Sequence, residues 1–206
     1  MLSDEQLDAR HREYTEAHRD RVLSTFIHTV PSRFKRARLG DFSTGFADVA
    51  MAWIKDPGDW SMFLWGDNSK GQTHAAFAVA VAWTAWHVNR PATWIFVPDL
   101  LADIKKQFDV PKGHRVVPVV ERLAEYPGLL LSDDIASEKD TEFAVQELYR
   151  IIYRREADYL KTVLTSNCNL ARIETKLDRR IAARLEGGKV INLKGKNRRV
   201  KSEGSA

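Results

Sequence analysis

The stretch from Phe63 to His74, FLWGDNSKGQTH, spaces glycine, hydroxyl and amide groups as a loop that cradles phosphate requires. A short apolar run, Met62 to Trp65, ends at Gly66. Gly71 and Thr73 follow, and then a long alanine-rich segment with helical spacing. This is the strand, loop and helix order of G-x-x-x-x-G-K-[ST], in which loop amides and the helix N-terminus surround the anion. The candidate nucleotide-binding residues are Gly66, Asp67, Asn68, Ser69, Lys70, Gly71, Gln72 and Thr73. Gln72 stands at the lysine position, where its neutral amide can donate hydrogen bonds but brings no charge. Lys70, two residues earlier, is a displaced cation that could compensate.

Three further constellations extend this chemistry. In Leu129 to Ile135, LLLSDDI, an apolar strand ends in two carboxylates. Hydrolysis of a nucleotide calls for an acid at a strand end to hold magnesium, and often a second acid to orient water. Asp133 fits the first role, with the Thr73 hydroxyl as its partner on the metal, and Asp134 fits the second. Val163 to Asn167, VLTSN, is another strand ending in small polar groups, and the Asn167 amide can reach a terminal phosphate or its attacking water. In the basic segment Lys176 to Leu185, Arg180 and Arg184 lie four residues apart and share one helix face. That face is either solvated or projects one arginine into a neighbouring subunit's nucleotide, stabilising transferred charge.

These groups need a scaffold that brings strand ends together. Apolar runs at Met62–Trp65, Thr93–Val97, Gly128–Leu131, Thr162–Thr165 and Val190–Leu193 alternate with helical patterns. The helices are predicted at Thr73–Asn89, Asp99–Phe108, Val117–Glu125, Glu142–Tyr159 and Ile173–Glu186. Strands that are apolar throughout and separated by helices predict a parallel sheet covered on both faces. Ser3 to Gln6 has the form of a capping box and opens a charged segment to about Phe26, with few apolar residues on any face. Pro31 ends it, and a helix-like stretch after Phe42 leads to the turn at Asp56 to Asp59. After Leu193 comes a basic edge and a polar tail.

With 206 residues the chain is long enough for one full core, and its 44% apolar and 29% charged residues are those of a globular protein. A formal charge of +4 permits nucleic-acid binding without demanding it. Cys168 is the only cysteine, which excludes an intrachain disulfide or a cysteine-built zinc site. The longest apolar stretch, Ala75 to Trp86, is too short to cross a bilayer. The acidic start at Met1 to Glu5 is unlike a secretory signal, so a cytoplasmic protein is expected.

Order, spacing and wording from about Phe34 to Arg199 resemble the AAA+ ATPases of the DnaC and IstB group, phage helicase loaders among them. The loop, Val97 to Leu101 (VPDLL), Ile151 and Ile152 with Arg154 and Arg155, and Leu164 to Leu170 (LTSNCNL) carry the resemblance. It implies an α/β, three-layer P-loop core with a five-stranded parallel sheet of AAA+ order and a short N-terminal helical arm. No C-terminal helical lid is expected, because the sequence ends too soon after Leu193. The implied division is an arm at 1–33, an ATPase-like domain at 34–200 and a tail at 201–206. ATP and magnesium are the implied cofactors; a replicative helicase, single-stranded DNA and a head-to-tail oligomer are the implied partners. Lys105, Lys106, Lys112 and Arg115 lie between the second and third strands, a region that approaches DNA in this family. The host cytoplasm is the expected location if a phage encodes the protein.

Gln72 is the main departure from the family pattern, and it makes a weak ATPase the expectation rather than the full activity that the resemblance implies. It also leaves open a non-hydrolysing adaptor that keeps the scaffold for DNA and protein partners. An IstB-like transposition helper shares the same core. Nothing beside the loop forms an acceptor site of the kind a metabolic kinase needs.

Overall fold

The sheet is built from strands whose alternate residues serve opposite faces, one covered by a single apolar cluster and the other by two. In β1 (Ser61–Trp65), Met62 and Leu64 join the single cluster and Phe63 one of the other two; in β4 (Thr162–Ser166), Val163 and Leu164 divide in the same way. With β2 (Thr93–Phe96), β3 (Leu130–Asp133) and β5 (Lys189–Asn192), they form one sheet in the order β2-β3-β4-β1-β5. Every adjacent pair is parallel, so both faces must be covered by the crossovers. The computed structural model describes residues 4–56, 58–67, 70–100, 119–136 and 142–194. It carries no helix among the described residues that is long and apolar enough to cross a membrane.

One face is covered by α3 (Gln72–Trp86), which packs against β1, β3 and β4. Ala75, Ala76, Phe77, Ala78, Val79 and Ala80 are all buried because α3 is enclosed on several sides. The sheet lies beneath it, and α1 (Asp4–Thr29) and α2 (Thr44–Lys55) pack against it as well. Alanine makes that depth of burial possible, since its small side chain lets neighbouring backbones approach. The charged segment before Pro31 is therefore not solvated throughout: Phe26 and Val30 are buried at its end, with Leu23 and Ile27 against the same core. The proposed capping residue Ser3 lies outside the described residues.

The second face carries α4 (Val119–Ala124), α5 (Glu142–Ala157), α6 (Leu170–Lys176) and α7 (Arg179–Glu186). The sequence predicts one helix over Ile173–Glu186, and here the structure corrects it. Asp178 accepts a hydrogen bond from the Arg180 N–H at 2.6 Å and caps a new helix, so Lys176 and Arg180 belong to different elements. The strands otherwise begin or end one or two residues from the predicted limits. The helix predicted at Asp99–Phe108 starts two residues earlier, at 97; it is helical to residue 100, and 101–108 fall outside the described residues.

α5 presents Leu148, Ile151 and Ile152 to the core, and the same stripe continues to Arg155, which is fully buried. Its Nε donates to Thr162 Oγ1 at 2.7 Å. One terminal nitrogen donates to the carbonyls of Leu123 and Tyr126, the other to those of Gly128 and Lys161, all at 2.7–2.9 Å. All five donors of the guanidinium are thus satisfied by neutral oxygens. Burial without a carboxylate partner pulls the Arg155 pKa down to about 9, and the group remains charged at pH 7.

Candidate nucleotide site

β1 ends at Trp65, still bonded to the chain that leaves its neighbour β5. The Leu193 N–H donates to the Trp65 carbonyl at 2.7 Å, and a Cβ on Gly66 would lie 2.6 Å from the Leu193 carbonyl oxygen. Glycine is required there by space. At Gly71 it is required by conformation: φ is 95°, a left-handed value, and this residue leads directly into α3. The two glycines flagged by the sequence thus stand at the end of β1 and at the start of α3, whose N-terminus opens at this corner. Asn68 and Ser69 lie outside the described residues. Asp67 is exposed, Lys70 is half-buried, and the Lys70 N–H reaches the Asp67 carbonyl at 3.3 Å.

Gln72 is buried, and its side chain turns back onto the loop. Nε2 donates to the Gly66 carbonyl at 2.5 Å and to the Asp67 carbonyl at 2.9 Å. Thr73, next along α3, comes close enough to Asp133 at the end of β3 to favour its charged form. The structure therefore brings together the two oxygen donors that sequence spacing nominates for a metal, across 60 residues of chain. Hydroxyl and carboxylate oxygens are the donors magnesium prefers. Asp133 is mostly buried, and burial raises its pKa above the ordinary carboxylate value, an effect opposed by the hydrogen bond from Thr165 and by the approach of Thr73.

The sequence does not single out Thr165. β3 and β4 pair with Ser132 opposite Leu164, which puts Asp133 beside Thr165. The Thr165 hydroxyl donates to Asp133 Oδ1 at 2.6 Å and accepts the Asp134 N–H at 2.8 Å. One side chain thereby fixes both acids. Asp134 has φ 62°, a value that aspartate tolerates better than most residues, so the chain turns sharply as it leaves the strand. Asn167 lies half-buried just past β4, its Oδ1 3.2 Å from the Cys168 thiol, while Ser166 ties the two strand ends together through the Ile135 carbonyl at 2.7 Å.

The segment before α2 also reaches this corner. His74 Nε2 lies 2.7 Å from Asp41 Oδ2, and the rings of Phe34 and Phe42 flank the imidazole. This clamp holds residues 34–42 against the first turn of α3. It escaped the sequence reading because its partners are 33 residues apart.

Arg180 and Arg184 project from α7 toward α5. Arg180 makes a two-point contact with Asp178, at 2.8 and 3.0 Å, and lies over the Tyr149 ring at 4.3 Å; its side chain is 59% exposed. Arg184 is 24% exposed, ion-paired to Glu156 and hydrogen-bonded to Tyr149 Oη at 3.2 Å. The two arginines share a face but differ in freedom. Lys105, Lys106, Lys112 and Arg115 lie outside the described residues.

A raised Asp133 pKa has a consequence for stability. The buried carboxyl favours its proton in the folded state, so its contribution is greatest at acid pH and declines as pH rises through the folded value. Asp133→Asn is therefore expected to melt higher than wild type at pH 7, with the gap closing as pH falls below the ordinary carboxylate range. Equal melting temperatures at both pH values would show that Asp133 is accommodated without cost.

No family model matches the chain, nor does any curated protein sequence. Solved structures do. The DnaC helicase loader superposes with a TM-score of 0.65 at 19% identity, covering 80% of this chain and 100% of that one. DnaI gives 0.63 at 20% identity, covering 82% and 94%. The replication initiator DnaA bound to AMPPCP and single-stranded DNA gives 0.66 at 16% identity; the match takes in 78% of this chain and half (50%) of that structure. At these identities the likeness is one of fold. The chain has an α/β fold like that of DnaC, with the five-stranded parallel sheet that its sequence predicts.

Proposed function

We propose that this protein is an ATP-binding, DnaC-like helicase loader that acts in DNA replication, assembling on single-stranded DNA and delivering a replicative helicase. The observation that carries this reading is the approach of Thr73, on the helix after the glycine loop, to Asp133 on the acid-tipped strand, close enough to favour its charged form. Loop amides and the α3 N-terminus would hold the phosphates, and Thr73 and Asp133 would hold magnesium. The metal, when bound, would neutralise phosphate charge. Asp134 and Asn167, at the ends of neighbouring strands, are assigned to the attacking water and the terminal phosphate. Similarity to DnaC and to a DnaA structure holding AMPPCP and single-stranded DNA supports the same assignment. In this reading residues 34–200 form the ATPase-like unit and 1–33 a helical arm.

The direct test is calorimetry of ATP binding with magnesium, followed by turnover with and without single-stranded DNA and a candidate helicase. Magnesium-dependent binding is expected. If neither wild type nor Gln72→Lys binds ATP, the ATPase reading fails. The second reading, an adaptor that binds DNA and proteins without hydrolysis, then stands; the commitment of the Gln72 amide to the loop favours it.

DNA binding is assigned to Lys105, Lys106, Lys112 and Arg115. Replacing Lys105, Lys106 and Arg115 together with Ala should weaken single-stranded DNA binding and flatten its salt dependence. Each lost phosphate contact should lower the logarithmic slope by about 0.7. An unchanged slope in a folded triple variant would assign those residues to ordinary solvated surface.

A further inference from the structure

We propose that Gln72 is a latch: its side-chain amide holds the first limb of the glycine loop, Gly66 and Asp67, without a ligand and leaves bound phosphate no side-chain donor at this position. A carboxamide nitrogen carries two hydrogens. The Gly66 and Asp67 carbonyls, at 2.5 and 2.9 Å, take both. The side chain is buried, so water offers no ready substitute for either bond. Gly66 is also pressed against the chain leaving β5: an added Cβ would lie 2.6 Å from the Leu193 carbonyl oxygen and 3.3 Å from Gln72 Nε2. The first limb of the loop, Gly66 and Asp67, is therefore held both by a strand end and by the Gln72 amide.

Two consequences differ in what they assume. The first, that the Gly66–Asp67 limb is held in the ligand-free protein, stands on this geometry alone. The second rests on the proposed nucleotide site. With Gln72 committed to the loop, the phosphates meet backbone amides and a helix end, and the balancing charge must come from the cation held by Thr73 and Asp133. ATP binding should then depend on magnesium more steeply than in a loop bearing lysine. Lysine has three N–H donors and a charge, so it could grip the loop and still reach a phosphate.

Hydrogen exchange read by mass spectrometry on peptides spanning Gly66 to Thr73, in the nucleotide-free protein, tests the first consequence. Gln72→Glu keeps the shape but has no N–H donor at neutral pH, and Gln72→Ala removes the group. Both should raise loop exchange about tenfold or more, the scale set by losing buried hydrogen bonds. Gln72→Lys should exchange as slowly as wild type. If Gln72→Ala does not fold, the Glu and Lys variants still read the same contrast. Wild-type exchange rates in Gln72→Glu would overturn the latch.

Calorimetry with ATP in excess EDTA, and then in magnesium, tests the second. Wild type should bind only with the metal, whereas Gln72→Lys should retain measurable binding in EDTA. Metal-free binding by wild type equal to that of Gln72→Lys would overturn the metal dependence. Absence of ATP binding in every variant, with the exchange contrast intact, would remove the nucleotide reading and keep the latch.

Discussion

Replacing Arg155 with Met should cost about 3–5 kcal/mol of folding free energy, a large part of the ~5–15 kcal/mol that holds a typical domain together. Methionine has a similar reach, so little cavity is created. The loss comes from the oxygens left behind. The carbonyls of Leu123, Tyr126, Gly128 and Lys161 converge on one guanidinium, and none would have another donor from this side chain. Thr162 would retain its own bond to the Leu160 carbonyl, so the damage centres on the turn between α4 and β3 and the entry to β4. Removing a buried charge returns some free energy, but less than the stranded oxygens cost. Arg155→Lys should fall between the two, because a single ammonium cannot satisfy acceptors spread around a planar fork. Urea denaturation followed by circular dichroism measures this directly. A loss below about 1 kcal/mol would show that water or local rearrangement satisfies those carbonyls.

Arg155 also shows where sequence reading stops. In the sequence it is one half of an Arg154–Arg155 pair in the last turn of an amphipathic helix, and nothing in composition separates the two. In the structure they face opposite ways: Arg154 is 51% exposed and pairs with Glu125, whereas Arg155 is fully enclosed. The helical stripe Leu148, Ile151, Ile152 continues to position 155, and that spacing was the available signal.

The strands and glycine loop were legible because they depend on local pattern. Met62 to Leu64 is apolar on both faces because β1 lies between two layers, and Gly66 and Gly71 are demanded by space and by φ. The role of Thr165 was hidden because it follows from strand order. Only once β3 lies beside β4 does its hydroxyl bridge Asp133 and Asp134. The donor capacity of Gln72 was readable, but not the direction in which it is used. The break before α7 was misread because Ile173, Leu177, Ile181 and Leu185 keep a four-residue spacing across it. Asp178 ahead of a basic amphipathic run was the cap signal that should have prevailed.

The remaining large effect concerns Arg180. A finger acts from outside its own nucleotide pocket, so the proposed function needs a head-to-tail assembly, which repeats into a ring or an open spiral. The structure separates the two candidates. Arg184 is held by Glu156 and Tyr149 on the flank of α5, and moving it would break an ion pair that joins two helices. Arg180 is the more exposed, and its partner Asp178 belongs to the same turn, so exchanging that carboxylate for a phosphate leaves the helix packing intact. The Tyr149 ring beneath it holds the guanidinium facing outward. Arg180→Ala should therefore reduce DNA-stimulated turnover by about 10³-fold or more, the scale of an arginine finger, with ATP binding by the monomer nearly unchanged. Arg184→Ala should instead lower thermal stability. The decisive measurement mixes Asp133→Ala with Arg180→Ala, each inactive alone. A mixed assembly can place an intact pocket against an intact finger, and turnover recovered on mixing establishes action between subunits. Turnover by Arg180→Ala equal to wild type would return Arg180 to the solvated face of α7. If wild type is inactive under every nucleotide, DNA and helicase condition, Gln72 is the mark of a core that no longer hydrolyses.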